Sequence, residues 1–532
     1  MNNVVERIVA SLVVSVFLCL TTVKFLGALQ QSGYKNGGFF RWLKRKDNLA
    51  FNRLSVLALC LALSSCVTSL CFSFAGVKTA LIASAVPYFV LFIVYLFADR
   101  KYALKVPLKR TGRTNRLFAT YFLFVSAFSY AFIALLYFLA VVNGSKIYAL
   151  IAYVPFALTV LCLPTLLALA NAFTGLFENA RNKKYVKRAG QVLNEKQIIR
   201  VAVVGSFGKT SVKNALETIL SEKYKVVATP YSYNTPIGIA KTVFAPETEK
   251  AEVFLAEFGA RKKGDIACLC EMVKPDFAVF TGVCNQHVQT FGNLENVFTE
   301  KSEILRCGAK KVVCGEDLLS FGKAYFGDNA RFAYKKDVQN VELLPTSTRF
   351  SFTLGGETVQ VDTKLLGGCA VENIYQSALL AYEIGLSVEE IRRGIEKLQP
   401  VEHRLQLIES GGVYILDDGY NCNEKGAKQA IDALCRFEKG KIIVTPGIVE
   451  CGRLEEEING KLGEEIAKAN FDKVILVGDT LVGAVKSGYV SAGGDLQKLT
   501  TVKTIDGAKE LLAGNLKAGD AVLFLNDLPD VY

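Results

Sequence analysis

The sequence predicts an α-helical membrane domain of about five transmembrane helices, followed by two α/β domains. The first of these is built on a phosphate-binding loop, and the second on another doubly wound sheet. Three observations carry this reading. Long apolar segments crowd the chain before residue 177. A buried strand, a glycine turn and a helix follow one another at Val201–Leu220. From there to the end, apolar runs alternate with helical patterns, as in proteins with parallel sheets.

Composition agrees. A chain of 532 residues holds three or four domains at roughly 150 residues each. Hydrophobic residues make up 51% of it, and the mean hydropathy of +0.29 is high for a soluble protein. The 14 cysteines form no Cys-x-x-Cys pair, and Cys19, Cys60, Cys66, Cys71 and Cys162 lie inside apolar runs. That argues against a disulfide framework or a zinc site. The two histidines, His287 and His403, exclude histidine-rich metal chemistry. The net charge of +12 does not point to nucleic acid, because the basic clusters flank apolar segments, where they act as topology signals.

Five segments suit a bilayer, which needs about 20 apolar residues per helix: 6–27, 54–75, 78–97, 117–142 and 147–174. The first lacks a small-residue cleavage site and reads as an anchor rather than a signal peptide. Lys35, Arg41, Lys44, Arg45, Lys46 and Arg53 follow the first segment; a second basic loop runs from Arg100 to Arg116, and a third from Arg181 to Arg188. The alternate loops carry only Lys78 and Lys146. Five crossings then place the N-terminus outside and the rest of the chain in the cytoplasm. The segments hold no acidic residue that would suggest an ion pathway, and Lys24 sits near a helix end, where it can snorkel. An anchoring or lipid-contacting domain is expected, rather than a transporter.

The central part is organised on Gly205-Ser206-Phe207-Gly208-Lys209-Thr210-Ser211. Its glycines let backbone N–H groups approach a phosphate at a helix N-terminus, Lys209 reaches the terminal phosphates, and the Thr210 hydroxyl sits on a magnesium ion. The spacing is Gly-x-x-Gly-Lys-Thr-Ser; the commoner longer form would need a glycine where Val203 stands. A plain strand-to-helix turn is the alternative reading. Tyr233-Asn234-Thr235-Pro236-Ile237-Gly238 forms a turn whose Asn234 and Thr235 can face a substrate. Glu257 ends a buried strand beside the loop, where it is either a metal ligand or a solvated strand-end charge. A further strand, Phe277–Thr281, leads to Asn285-Gln286-His287 and Phe291-Gly292, then to a helix over 297–307 that carries Lys301.

Taken together, these motifs resemble the Mur ligase family, the ATP-dependent amino-acid ligases that build the peptide stem of bacterial peptidoglycan. Gly205–Thr210, Glu257-Phe258-Gly259, Asn285 and His287, Phe291-Gly292 and Lys301-Ser302-Glu303-Ile304 stand in family order. The resemblance implies that Glu257 and His287 join Thr210 in holding Mg2+. It also implies that Lys301 matches a lysine carbamylated in many members; unmodified, Lys301 reads as an ordinary surface lysine. Leu365–Asn373 resembles the segment on the adenine side of the family's site, keeping Gly367 and Asn373 but placing Cys369 and Ala370 where His-Asn is usual. Arg404 matches an arginine that approaches the ATP phosphates across a domain cleft, with His403 as its neighbour. Asp417-Asp418-Gly419-Tyr420-Asn421-Cys422-Asn423 resembles the signature of the member that adds D-alanyl-D-alanine to a UDP-muramoyl tripeptide, with Glu424 where proline is usual. Asp417 is expected at the nucleotide or a cation, and Asn421 near the phosphates. A Lys-Gly-Ser-like segment near the C-terminus of such members is absent.

The resemblance therefore implies a central P-loop domain over 198–400 and a Rossmann-like C-terminal domain over 401–532, after a membrane domain over 1–176 and a basic linker over 177–197. It implies a carboxylate–amine ligase working through an acyl phosphate, in which Lys209, His287, Lys301 and Arg404 are catalytic and ATP and Mg2+ are cofactors. Gly205, Ser206, Gly208, Lys209, Thr210, Ser211, Asn373, Arg404, Asp417 and Asn421 hold the nucleotide. Three functions are open: D-alanyl-D-alanine addition to a UDP-muramoyl peptide from a membrane tether; ligation of an amino acid or dipeptide to a lipid-linked or polymeric carboxylate; or a non-catalytic scaffold that recruits cell-wall synthesis proteins. The expected setting is a multi-pass protein of the cell membrane with its catalytic domains in the cytoplasm, and with no nucleic-acid partner.

Overall fold

Strands that are apolar on both faces make the two large sheets. The computed structural model of the protein describes residues 2–44, 48–72, 77–100, 107–138, 159–285, 288–420, 422–449 and 451–526. They divide into a unit ending at Arg181 and another beginning at Asn182. In the second unit, β1 (Ile199–Val204) sends Val201 and Val203 into one core, with Val212, Leu216 and Ile219. Its Ala202 and Val204 enter the opposite core, with Phe254, Ile266 and Phe280. Such two-sided burial is the mark of a parallel sheet covered by helices.

That sheet contains β2 (Val226–Ala228), β3 (Val253–Glu257), β4 (Phe277–Phe280), β5 (Lys311–Gly315) and β6 (Ala330–Ala333), in the order β2-β3-β1-β4-β5-β6. All neighbours are parallel. Strand β1 is flanked by β3 and β4, so the loop at its carboxyl end opens where ligands bind α/β sheets. The register pairs Val203 with Glu257, which sets that carboxylate level with the start of the loop.

A small antiparallel sheet follows, made of β7 (Val338–Leu343), β8 (Thr348–Leu354) and β9 (Glu357–Thr363). No strand is expected here from the sequence reading, although Phe350, Phe352 and Leu354 alternate at period two and enter the first core with Val359 and Val361. The expected helix over 297–307 is an α-helix at Leu294–Lys301 that tightens to a 3₁₀ turn at Ser302–Arg306.

The C-terminal sheet has β10 (Gln406–Ser410), β11 (Val413–Asp418), β12 (Lys441–Thr445), β13 (Lys473–Val477), β14 (Leu499–Val502) and β15 (Ala521–Leu525), ordered β10-β11-β15-β12-β13-β14. Only the β10–β11 hairpin is antiparallel. The doubly wound expectation agrees with this arrangement.

The first unit is helical. The expected first span is broken: helices Asn2–Leu20 and Val23–Gln31 meet at a 52° bend. The Thr21 and Thr22 hydroxyls donate back to Leu18 O and Cys19 O, competing with the helix ladder at the break. By length and composition, Gly112–Leu135 and Thr159–Glu195 are able to cross a bilayer, or three spans if the bent pair is one. Among the described residues the apolar stretches Ala50–Ser65 and Val86–Asp99 are shorter. The described helices therefore give two or three candidate spans where the sequence suggests five; residues 139–158, which carry parts of the expected fourth and fifth segments, lie outside the described residues. Lys24 does not snorkel freely: it pairs with Asp99 at 2.8 Å, and Arg53 approaches the same oxygen at 3.7 Å. The stretch expected as a linker is helical within Leu163–Glu195, and its Ala189 and Leu193 are fully buried in the second core of the nucleotide unit.

Candidate active site

The loop after β1 is held open by contacts that only glycine allows. A Cβ on Gly205 would lie 1.9 Å from Thr281 Oγ1, and one on Gly208, whose φ is +73°, would lie 2.6 Å from Asn373 Oδ1. The Thr281 hydroxyl donates to Phe207 O and Ser206 N to Gly282 O, tying the loop to the end of β4. Gly208 caps the helix Lys209–Leu220, and Thr210 and Ser211 lie in its first turn. The buried Ser206 Oγ has no hydrogen-bond partner, the kind of orphan that a phosphate oxygen satisfies.

Lys209 Nζ turns back to Ser206 O at 3.3 Å. Burial holds its ammonium below the ordinary lysine range; Glu257 pulls it partly back, and the charge of Arg404 lowers it further. Arg404 is thus already within electrostatic reach of Lys209.

Glu257 is buried. Its Oε2 accepts from Thr210 Oγ1 at 2.9 Å and its Oε1 from Asn234 Nδ2 at 3.1 Å. The solvated strand-end reading is therefore excluded. Among the described residues, no three His, Cys, Asp or Glu side chains gather into a ready-made metal cage. A hydroxyl and one carboxylate, both oxygen donors, instead fit a hard cation that brings water and phosphate oxygens with it. His287 and Asn421 lie outside the described residues. Asn285 Nδ2 donates to Glu424 Oε2 at 3.3 Å. Thr235 is spent on structure, since its hydroxyl caps the helix Pro236–Val243 by accepting from Gly238 N at 3.2 Å.

Lys301 is buried, not a surface lysine. Its Nζ donates to Gly205 O at 3.0 Å, directly behind the loop. Burial, followed by repulsion from Lys209, pushes its ammonium down to about 7, so a large share is the free amine at neutral pH.

Arg404 stands between two non-glycine residues with left-handed backbone, His403 at φ +59° and Leu405 at φ +48°. Two carboxylates hold this strained turn. Asp417 Oδ2 takes His403 Nδ1 at 2.7 Å, and Asp418 Oδ1 accepts from Leu405 N at 3.0 Å. With Gly419 N on its Oδ1 as well, Asp417 is placed as a post for the arginine turn. The Arg404 guanidinium lies over the Tyr420 ring at 4.3 Å, and Tyr420 OH donates to Ser232 Oγ at 2.7 Å.

Five groups not foreseen from the sequence also meet here. Lys213, one turn beyond Lys209, is buried and donates to Thr229 O and Tyr231 O, each at 2.7 Å, with Glu257 Oε2 4.0 Å away. The i, i+4 spacing from Lys209 is the one signal that could have found it. Lys425 lies 4.3 Å over the Phe207 ring and pairs with Asp317 at 2.8 Å and Glu372 at 2.9 Å. Lys335 completes a ring of charges with the same two carboxylates.

Comparison with known proteins decides what the site belongs to. Residues 203–381 match the Mur ligase middle domain, and residues 403–526 match the Mur ligase, glutamate ligase domain. The chain belongs to the Mur ligase family. As a Mur ligase it is an ATP-dependent enzyme, and its α/β domains have the family fold. It is 28% identical to a UDP-N-acetylmuramoyl-tripeptide--D-alanyl-D-alanine ligase of Bacillus subtilis over 339 residues, 61% of this chain and 72% of that protein. It is also 28% identical to the enzyme of the same name from Escherichia coli, over 52% of this chain and 64% of that one. Among solved structures, a MurF ligase from Thermotoga maritima in complex with ADP aligns with a TM-score of 0.58 and 27% identity, covering 65% of this chain and 80% of that one. A MurF from Acinetobacter baumannii shares the fold, with a TM-score of 0.58 at 22% identity, covering 65% and 77%.

Proposed function

We propose that this Mur ligase joins D-alanyl-D-alanine to the free carboxylate of a UDP-muramoyl tripeptide, and that it does so as a multi-pass protein of the cell membrane with its catalytic domains in the cytoplasm. The observation that carries the chemistry is the Thr210–Glu257 contact of 2.9 Å beside the phosphate loop, with Lys209 and Arg404 electrostatically coupled around it. The substrates are those in the names of the relatives.

The acceptor carboxylate attacks the γ-phosphorus of ATP, the bond to the β–γ bridging oxygen breaks, and ADP leaves. The acyl phosphate so formed is attacked by the dipeptide amine; a tetrahedral intermediate collapses, phosphate leaves, and the amine loses a proton. Lys209 and Arg404 counter the charge of two anions brought together, and the loop N–H groups with Ser206 Oγ hold the phosphates. Thr210 and Glu257 would hold Mg2+, which neutralises the phosphate charge when bound. His287 and Asn421 would add the metal and phosphate contacts that the family resemblance implies for them, and Asn234 faces the acceptor. Asn373, with its amide oxygen toward Gly208, borders the nucleotide.

Lys301 is proposed as a carbamate. The reaction is R–NH2 + CO2 → R–NH–COO− + H+; it consumes the free amine that burial supplies and yields an oxygen-bearing anion behind the loop.

The membrane reading is supported by where large apolar side chains face outward. Val13, Leu59, Leu63, Val90, Leu123 and Leu176 are all exposed on the helical unit, and such faces suit lipid. This observation also favours a second reading of the acceptor as a lipid-linked carboxylate. The test is phosphate release by the full chain in detergent. UDP-muramoyl tripeptide with D-alanyl-D-alanine is offered in one arm, and a lipid-linked precursor with amino acids in the other. Release in the first arm, with the amide product seen by mass, supports the primary reading. Release only in the second replaces it.

A further inference from the structure

Lys213 occupies an unusual position for a lysine, on the inner face of the phosphate-loop helix with its side chain buried. Long cationic side chains are rarely fully buried without partners. Its ammonium has three N–H donors. Two go to main-chain oxygens at 2.7 Å, those of Thr229 and Tyr231, and the third side looks toward Glu257 Oε2 at 4.0 Å.

Those oxygens bracket a bend. Strand β2 ends at Ala228, and Thr229 still belongs to the sheet edge: its N donates to Leu255 O, and its hydroxyl accepts from Glu257 N at 3.1 Å. Two residues later Tyr231 takes φ +48°, a left-handed backbone that bulky side chains disfavour. The Tyr231 side chain is 84% exposed, and among the described residues its ring meets only that of Tyr233, with centroids 6.5 Å apart. The Lys213 bond to the Tyr231 carbonyl at 2.7 Å holds the bend to the helix, alongside the turn bond from Tyr233 N to Pro230 O at 3.1 Å. From there the chain delivers Asn234, whose amide reaches Glu257 Oε1 and whose carbonyl accepts from Gly259 N. Strained backbone held by its surroundings is found where geometry serves function.

We propose that Lys213 is a positioning residue for the acceptor: it pins the bend at Thr229–Tyr231 and so sets the Ser232–Thr235 loop, with Asn234, against the reacting centre. This rests on the reading of Asn234 as acceptor-facing. Lys213 acts through the loop it holds, since both of its hydrogen bonds go to main-chain oxygens of the bend.

The experiment uses the full chain with Lys213→Met, and with Lys213→Gln as companion, since Gln keeps a donor for one carbonyl but loses the charge and the second bond. Chymotrypsin cleaves after exposed tyrosines, so Tyr231 and Tyr233 report loop order without reference to activity. The expected result is cleavage in the loop accelerated at least tenfold in Lys213→Met and by less in Lys213→Gln, with cleavage elsewhere unchanged. KM for the acceptor should rise about tenfold, while KM for ATP stays within twofold. Unchanged cleavage at Tyr231 and Tyr233 in a folded variant overturns the pin. Faster cleavage with an unchanged acceptor KM overturns the acceptor role while the pin stands, which separates the two premises. Loss of the fold in both variants also overturns the proposal, by making Lys213 a residue of the core alone.

Discussion

Thr210 Oγ1 donates to Glu257 Oε2 at 2.9 Å, joining the first turn of the phosphate-loop helix to the carboxyl end of the neighbouring strand. The pairing of β1 with β3 makes this possible, because Val203 and Glu257 are register partners. Glu257→Gln keeps the shape and a hydrogen-bonding partner for Thr210 but removes the anion. The expected loss in kcat is on the order of 10²-fold or more, as for other charge-stabilising groups, with a melting temperature close to that of the native chain. Phosphate release across a Mg2+ titration checks it.

Lys301 gives a carbon dioxide dependence. Its amine, lowered to about 7 by burial and by Lys209, is mostly protonated below that value and mostly free above it. Activity in carbonate-depleted buffer is expected to fall and to recover on addition of bicarbonate, with the recovery steeper at pH 8 than at pH 6. A 13C-bicarbonate NMR signal for a protein carbamate, absent in Lys301→Arg, is the direct measurement.

Asp418 gives a stability dependence. Burial raises its carboxyl from 3.8 to about 6, against the opposing pull of Arg404. The folded state therefore binds the proton more tightly than the unfolded one, and the contribution of this group to stability declines as pH rises from about 4 to about 6. In Asp418→Asn that decline is expected to vanish while the Leu405 N–H keeps an acceptor. Thermal melts at pH 4.5 and 7 for the two proteins show the difference.

How far the sequence revealed this arrangement varied with the kind of signal. The loop and Glu257 were legible because each combines a residue type with a strand end or a glycine turn, whereas Arg404 stood out only through the family resemblance. Lys301 stood out only through family order, since nothing local distinguishes a buried lysine from an exposed one. Lys213 was hidden because its partners are main-chain oxygens, which leave no trace in residue types. Asp417 was read as a ligand contact, whereas its oxygens hold His403 and Gly419; side-chain partners across a hairpin are set by register, which the sequence does not print. In the helical unit hydropathy marked the apolar stretches, but the break at Thr21–Thr22 arises from hydroxyls bonding backward, a local event that an average over about 20 residues removes.

The turn around Arg404 yields a rate prediction. His403 at φ +59° is held by Asp417, and a residue with little side chain would release the arginine. His403→Ala is expected to lower kcat about tenfold, whereas His403→Asn, which tolerates the left-handed region, retains more. Single-turnover measurement of acyl phosphate formation separates this effect from substrate binding.

Gly208 tests the loop geometry. A methyl group there would lie 2.6 Å from Asn373 Oδ1 at φ +73°, so Gly208→Ala carries a backbone cost of about 1–2 kcal/mol in addition to the clash. The expected outcome is a folded protein with ADP affinity reduced at least tenfold, checked by calorimetric titration.

The central claim is that this site forms an amide at the expense of ATP. Full chain in detergent, given ATP, Mg2+, UDP-muramoyl tripeptide and labelled D-alanyl-D-alanine, is expected to release one ADP and one phosphate for each labelled pentapeptide, and Lys209→Ala to release none. ATP hydrolysis without labelled product, or product formation undiminished in Lys209→Ala, would contradict it.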